Sequence, residues 1–270
     1  MISFGPLKGC IFESILKKEI MSKLNNKVAV ITGGNSGIGF GIAQELKNEG
    51  AKGVIVGRNQ QTLDSSVALL GDDFIAINAD VTNIDDLERV FKETSEKFGK
   101  IDVIVANAGG GAVGTVATLG EADFDKTIDL NLKSVYFTVS KSLPYINDGA
   151  SIILIGSNAA HRAYPNFTLY GAAKAAVIFF AKAFSSDLLD RKIRVNVITP
   201  GTTDTPAFEK FVPLEQIEGI KKHFASEMPI GRIGQPSDIG KTAVFLASDD
   251  SSFMLGTELL VDGGMTYLSK

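Results

Sequence analysis

The chain has 270 residues, 44% of them hydrophobic and 21% charged, and 27 Lys and Arg against 31 Asp and Glu leave a formal charge of −4. Those figures exclude a disordered or collagen-like chain, and a slightly acidic protein without a run of like charges offers nothing to nucleic acid or to an anionic membrane face. The single cysteine, Cys10, excludes an internal disulfide and a cysteine metal cage, and two histidines, His161 and His223, make no metal centre; a reducing, cytoplasmic setting fits.

Residues 1–20 stand apart from the rest of the chain. Their apolar positions Ile11, Phe12, Ile15, Leu16 and Ile20 are broken by Glu13, Lys17 and Glu19, so no secretory signal is formed. That spacing suits a short amphipathic helix, but the plainer reading is a flexible extension or a start at Met21, with the domain proper over 21–270. No later apolar stretch reaches the roughly 18 residues that a membrane span requires.

From Lys27 onward, runs rich in β-branched residues recur at 28–32, 54–56, 74–77, 101–105, 151–155, 194–198 and 259–261. Most are apolar throughout, as strands buried on both faces must be. Helical patterns lie between them, for example 84–98, with Leu87, Val90 and Phe91 on one face. The alternation predicts an α/β protein, a single doubly wound parallel-sheet domain of about seven strands with helices on both faces. The one long interruption, with Pro206, Pro213 and Pro229, spans about 202–232, a length that suits a substrate lid. There Phe208 and Phe211 are placed either to cover an apolar substrate or to anchor the lid.

Between the first strand and a helix over 38–49 stand Gly33, Asn35, Ser36, Gly37, Ile38 and Gly39. Glycines let the backbone turn sharply and approach a pyrophosphate, while free N–H groups at the helix start attract its charge. The spacing resembles the T-G-x-x-x-G-x-G signature of the short-chain dehydrogenase/reductase family. The family's further signatures come in order along the chain. Asp80 and Val81 match its adenine-contacting pair, Asn107, Ala108 and Gly109 its N-A-G motif, and Asn131 its relay asparagine. Ser157 precedes Tyr170 by 13 residues, and Tyr170 with Lys174 matches Y-x-x-x-K. Pro200, Gly201, Thr203 and Thr205 lie in its P-G-x-x-x-T stretch, and 261–264 resemble its usual ending. The match runs from about Lys27 to Tyr267.

That resemblance implies a Rossmann domain, a dinucleotide across the strand ends, and hydride transfer between the cofactor and a carbonyl or alcohol, as in 3-oxoacyl carrier-protein reductases. Tyr170 is then the proton donor, Ser157 a hydrogen-bond donor to the substrate oxygen, Lys174 the group that tunes Tyr170 and holds the nicotinamide ribose, and Asn131 the holder of a water reaching Lys174. Four residues apart on a helix, Tyr170 and Lys174 share a face. A free tyrosine titrates near ~10, and a neighbouring ammonium is expected to lower that value. His161 is placed to bind an anionic group or to be a solvated loop residue, the latter being the plainer reading.

At the end of the second strand, Gly57 stands where NAD-dependent relatives usually carry Asp, and Arg58 and Asn59 come next. A guanidinium there suits a 2′-phosphate, so the cofactor is expected to be NADP(H). Ser36 departs from the basic residue many NADP-preferring relatives carry. The near rival is an NAD-dependent alcohol or sugar dehydrogenase; the distant one is a non-catalytic dinucleotide sensor, which has no need of Ser157, Tyr170 and Lys174 together. Around Tyr170's helix, Ala172, Ala173, Ala176, Phe179, Phe180 and Phe184 make a second apolar face. A partner subunit is its natural cover, and the family's usual homotetramer agrees.

Overall fold

The computed structural model of the chain describes residues 22–206, 208 and 213–269. The extension over 1–20, with Cys10, and Phe211 lie outside the described residues. All seven expected strands are present: β1 (Val28–Thr32), β2 (Lys52–Gly57), β3 (Phe74–Asn78), β4 (Ile101–Ala106), β5 (Ile146–Ile155), β6 (Arg194–Pro200) and β7 (Glu258–Val261). They form one parallel sheet in the order β3-β2-β1-β4-β5-β6-β7.

Because side chains alternate along a strand, a run apolar at every position feeds two cores. Val28, Val30, Val54 and Val56 point into one core, and Ala29, Ile31 and Ile55 into the other. Helices α1 (Gly37–Asn48), α2 (Gln60–Leu70) and α8 (Pro236–Ala247) cover the second face. The first is covered by α3 (Ile84–Phe98), α5 (Ser134–Ser142) and α6 (Thr168–Asp187). The remaining helices are α4 (Glu121–Ile128) and α7 (Leu214–Glu227). Local chemistry sets the ends of α3: the Asn83 side chain accepts from the Asp85 N–H at 3.0 Å, and Gly99 closes the helix at φ 86°.

Two features differ from the sequence reading. β5 begins at Ile146, five residues ahead of the expected Ser151, because Asn147, Asp148 and Gly149 read as a turn. They form a bulge instead, since Ile101 pairs with Ile146 while Val103 pairs with Ser151. The helix expected to carry Asn131 is interrupted there by a π-helical turn, Asp129–Lys133, between α4 and α5.

The chain runs from β1 to β2 on one side and from β3 back across to β4 on the other, so β1 and β4 are neighbours whose outgoing loops diverge. This is the switch point at which open α/β sheets bind ligands. No helix among the described residues is long and apolar enough to cross a membrane.

Candidate active site

The loops leaving β1 and β4 are knotted together by Thr32. Its hydroxyl accepts from the N–H groups of Asn107 (3.0 Å) and Ala108 (3.1 Å), while Asn107 Nδ2 donates to the carbonyls of Thr32 (2.8 Å) and Gly33 (3.1 Å). Gly33 at φ +63° and Gly37 at φ +52° hold left-handed conformations, and a Cβ on Gly39 would strike the Gly33 carbonyl. The result is a backbone cradle to which Gly33, Gly37 and Gly39 add no Cβ, with the Asn107 amide packed against it. Ser36 caps α1 without a side-chain bond to the helix N–H groups, which leaves them to an anion from outside. Exposed backbone donors, a helix N-terminus and no Cβ atoms fit a pyrophosphate.

Thr205 closes this cradle from the other side, its Cγ2 3.1 Å from where a Cβ on Gly37 would lie. Pro200 ends β6, Gly201 packs so closely on Asp262 that a Cβ would lie 2.7 Å from its Cα, and Thr203 Oγ1 donates to the Gly201 carbonyl at 3.0 Å. The residues assigned by sequence to the pyrophosphate and nicotinamide ends thus come together.

At the adenine end, Arg58 Nη1 lies 3.6 Å from Asp80 Oδ2, with the arginine side chain 68% exposed. Burial pushes the Asp80 carboxyl up, but hydrogen bonds from Thr82 and the Arg58 charge outweigh it and hold the group below its ordinary range. Val81 is buried. Asn59 has a structural task, capping α2 by accepting from the Thr62 N–H at 3.0 Å, and Asn35 Nδ2 donates to Thr62 Oγ1 at 2.6 Å. Asn35 also fills the space beside Gly57, where a Cβ would lie 2.5 Å from its Oδ1.

Ser157 follows β5 one residue on, after Gly156, and Tyr170 and Lys174 rise one turn apart from the start of α6. The Ser157 side chain lies close enough to the Tyr170 phenol to act on its pKa. Lys174 is fully enclosed; its Nζ donates to the Ile155 carbonyl at 2.8 Å and lies 5.7 Å from the Tyr170 ring centre. The expected lowering of the Tyr170 pKa by this ammonium is not what the geometry gives. Burial pushes the phenol up, partly countered by Ser157, and burial likewise pulls the Lys174 amine down to about 8. The physical reason is that the lysine shares the enclosed space and pays the same desolvation cost as the phenolate.

Asn131 is buried, and its amide is taken up by backbone: Nδ2 donates to the Gly110 and Thr127 carbonyls, and Oδ1 accepts from the Gly110 N–H at 3.1 Å. It therefore clamps the segment after β4 from within the π-helical turn. A Cβ on Gly109 would lie 3.1 Å from Asn131 Oδ1 and 3.4 Å from Lys174 Nζ, so asparagine and lysine meet at that glycine.

His161 is neither an anion site nor a free loop residue, because its Nε2 lies 2.6 Å from Glu258 Oε1. Glu258 is a site neighbour that the sequence reading missed; its signal was a lone carboxylate opening the apolar segment 259–261. In the expected lid, Phe208 packs on Phe224 of α7 at 6.1 Å, and α7 buries none of its own residues.

A doubly wound sheet with a glycine cradle at its switch point, and a Ser157–Tyr170–Lys174 group at the end of the next strand, defines an oxidoreductase of the short-chain dehydrogenase/reductase family, whose members bind a nicotinamide cofactor. The chain belongs to that family: a family model described as "Enoyl-(Acyl carrier protein) reductase" matches residues 33–266. The chain is 38% identical over 250 residues to an oxidoreductase of Sarocladium schorii, covering 92% of this chain and 99% of that one. It is 35% identical over 261 residues to a "hydroxynaphthalene reductase-like protein" of Metarhizium majus, covering 92% and 97%. A crystal structure of a Brucella melitensis short-chain dehydrogenase/reductase, described as a glucose/ribitol dehydrogenase, superposes with a TM-score of 0.85 at 32% identity, covering 92% of this chain and 99% of that one. The ligand-free aldohexose dehydrogenase of Thermoplasma acidophilum gives 0.83 at 31% identity, covering 92% and 97%.

Proposed function

We propose that the protein is an NADP(H)-dependent carbonyl reductase. The observation that carries this reading is the convergence of Ser157, Tyr170 and an enclosed Lys174, whose Nζ lies 5.7 Å from the Tyr170 ring centre, at one end of the sheet. Two hydroxyls aimed at one point suit one oxygen atom, that of a ketone or of the alcohol it becomes. Ser157 donates to that oxygen where negative charge develops. With its pKa raised by burial, Tyr170 holds its proton at neutral pH and is ready to give it to the same oxygen. The cofactor, when bound, supplies the hydride. Gly33, Gly37, Gly39 and the start of α1 hold its pyrophosphate, Asp80 and Val81 flank its adenine, and Thr203, Thr205 and Lys174 face its nicotinamide end. Arg58 extends from the rim of the cleft, with no carboxylate closer than 3.6 Å among the described residues, free to turn to a 2′-phosphate.

Ring ketones are the favoured substrate class within this reading. Phe167 stands edge-on to Tyr170 at 6.0 Å, giving the reacting point an aromatic wall, and the Metarhizium relatives' description names a hydroxynaphthalene. The aldose-type names of the structural neighbours keep an NAD-dependent sugar dehydrogenase as the rival. On the outer face of α6, Phe179 is 65% exposed beside a cluster of Tyr136, Phe180 and Phe184, which supports burial against a second copy in a homotetramer.

Loss of NADPH or NADH absorbance with a panel of ring ketones, 3-oxoacyl thioesters and aldoses tests the reading. NADPH consumption with a ketone is the expected result. Tyr170→Phe should then lower kcat by about 10²–10⁴-fold with cofactor affinity unchanged. Arg58→Ala should raise KM for NADPH roughly 10- to 100-fold and leave NADH alone. Equal use of the two cofactors, or equal weakening of both by Arg58→Ala, refutes the NADP assignment.

A further inference from the structure

The turn that carries Ser157 is bonded at its far end to the Glu258 carboxylate and packs at its near end on Thr199, which bonds to the same carboxylate oxygen. At its start, Gly156 bonds to the Ile198 carbonyl through its N–H at 2.8 Å and lies so close to Thr199 that a Cβ would stand 2.7 Å from Thr199 Oγ1. That Thr199 hydroxyl donates to Glu258 Oε1 at 2.5 Å. The turn continues through the 3-10 segment Asn158–Ala160 and ends at His161, whose N–H bonds to the Asn158 carbonyl at 3.0 Å. His161 Nε2 reaches the same Glu258 Oε1 at 2.6 Å. An ionised carboxylate only accepts, so the imidazole carries its proton on Nε2.

Between its two anchored ends the turn rests on the catalytic helix. The Ala159 carbonyl would lie 2.6 Å from a Cβ on Gly171, the residue after Tyr170, so the turn and α6 touch through backbone alone. Any shift of the turn therefore moves the Ser157 hydroxyl against the Tyr170 hydroxyl. The neighbouring Arg162 is directed elsewhere, toward the Tyr164 ring and the Met265 carbonyl. Glu258 is only 18% exposed in its side chain, and a carboxylate so placed is retained at the cost of its hydration.

We propose that Glu258 and His161 are positioning residues for catalysis: through Thr199 and His161, the Glu258 carboxylate fixes the turn that holds Ser157 against Tyr170. The inference rests on the reductase reading for its kinetic consequence and on geometry alone for its structural one. A misplacement on the order of 1 Å at a reacting group costs up to about 10²-fold.

The test uses the full chain with NADPH and a ketone that it reduces, in the variants His161→Leu, His161→Gln, Glu258→Leu and the Leu/Leu double variant. In His161→Leu, kcat should fall about tenfold or more while KM for NADPH stays within about twofold, since the cradle is untouched. Glutamine keeps an N–H to donate and should recover most of the loss. The double variant should be no worse than Glu258→Leu alone, because that change already removes the His161 contact together with the Thr199 one. A readout without substrate accompanies these: ultraviolet titration of the tyrosines, with Tyr170→Phe assigning the Tyr170 step. That step should move up in His161→Leu as Ser157 shifts away from the phenol it holds down, and return in His161→Gln. Unchanged kcat with an unmoved Tyr170 step overturns the proposal, as does a glutamine variant as impaired as the leucine one. If the unaltered chain reduces no ketone, the reductase reading fails, and the Tyr170 step still decides the positioning role.

Discussion

At Lys174, enclosure and chemistry oppose each other. The amine is buried with a single carbonyl partner and its pKa falls from 10.5 to about 8. The unfolded chain therefore binds more protons than the native one between those values, so the contribution of this residue to stability rises with pH across that window and is constant below it. Holding the charge at lower pH costs on the order of 3 kcal/mol. Lys174→Met should accordingly lack the gain in stability that the unaltered protein shows between pH 8 and 10.5, as urea unfolding at both ends of the window will measure. Gly57 shows how a neighbour limits a residue-level inference. Read from sequence, Gly57→Asp simply restores an NAD-type carboxylate. In the structure the new Cβ displaces Asn35 from its 2.6 Å bond to Thr62, so the change should weaken both cofactors before it favours NADH, visible as raised KM for each. The Y-x-x-x-K spacing revealed that Tyr170 and Lys174 meet; the direction of their pKa shifts was not legible, because desolvation depends on everything packed around them.

Among the elements, β6 shows how a strand is tied to the helical layer. Arg194, at its first residue, is 9% exposed and donates to the carbonyls of Leu246, Ser248 and Ser251 and to Ser251 Oγ at 2.8 Å, joining the sheet to the end of α8. Among the described residues no carboxylate bonds it, and burial lowers its pKa while Asp249 raises it. The planar fork reaches acceptors that an ammonium cannot serve together. Arg194→Lys should therefore cost about 2 kcal/mol, read as a lower urea midpoint with unchanged m, while leaving KM for cofactor unaltered. Strands whose apolar runs feed two cores were plain in the sequence. The start of β5 was not, since residues 147–149 carry turn chemistry and only the pairing of Ile146 with Ile101 makes them part of a strand.

For the whole molecule, the proposed homotetramer rests on the aromatic face formed by α5 and α6. Phe180 and Phe184 stack at 4.8 Å and Tyr136 packs tilted and edge-on against them, while Phe179 is 65% exposed. Placing a charge there, as in Phe179→Lys, should convert a tetramer to smaller species in analytical ultracentrifugation without lowering the thermal midpoint of the dissociated subunit, because the side chain lies mostly in solvent within its own subunit. Composition and periodicity determined the class of fold: apolar runs too continuous for one-sided strands, separated by amphipathic helices, have few other ways to bury themselves. The spacing of Gly33, Gly37 and Gly39 and of Tyr170 and Lys174 determined the candidate site, since turns and helices convert short sequence intervals directly into geometry. What only the tertiary structure decided were contacts between residues far apart in the chain. Thr32 with Asn107, Asn35 with Gly57, and His161 with Glu258 are each set by strand order, and no local interval encodes which side chains a seven-stranded sheet brings together.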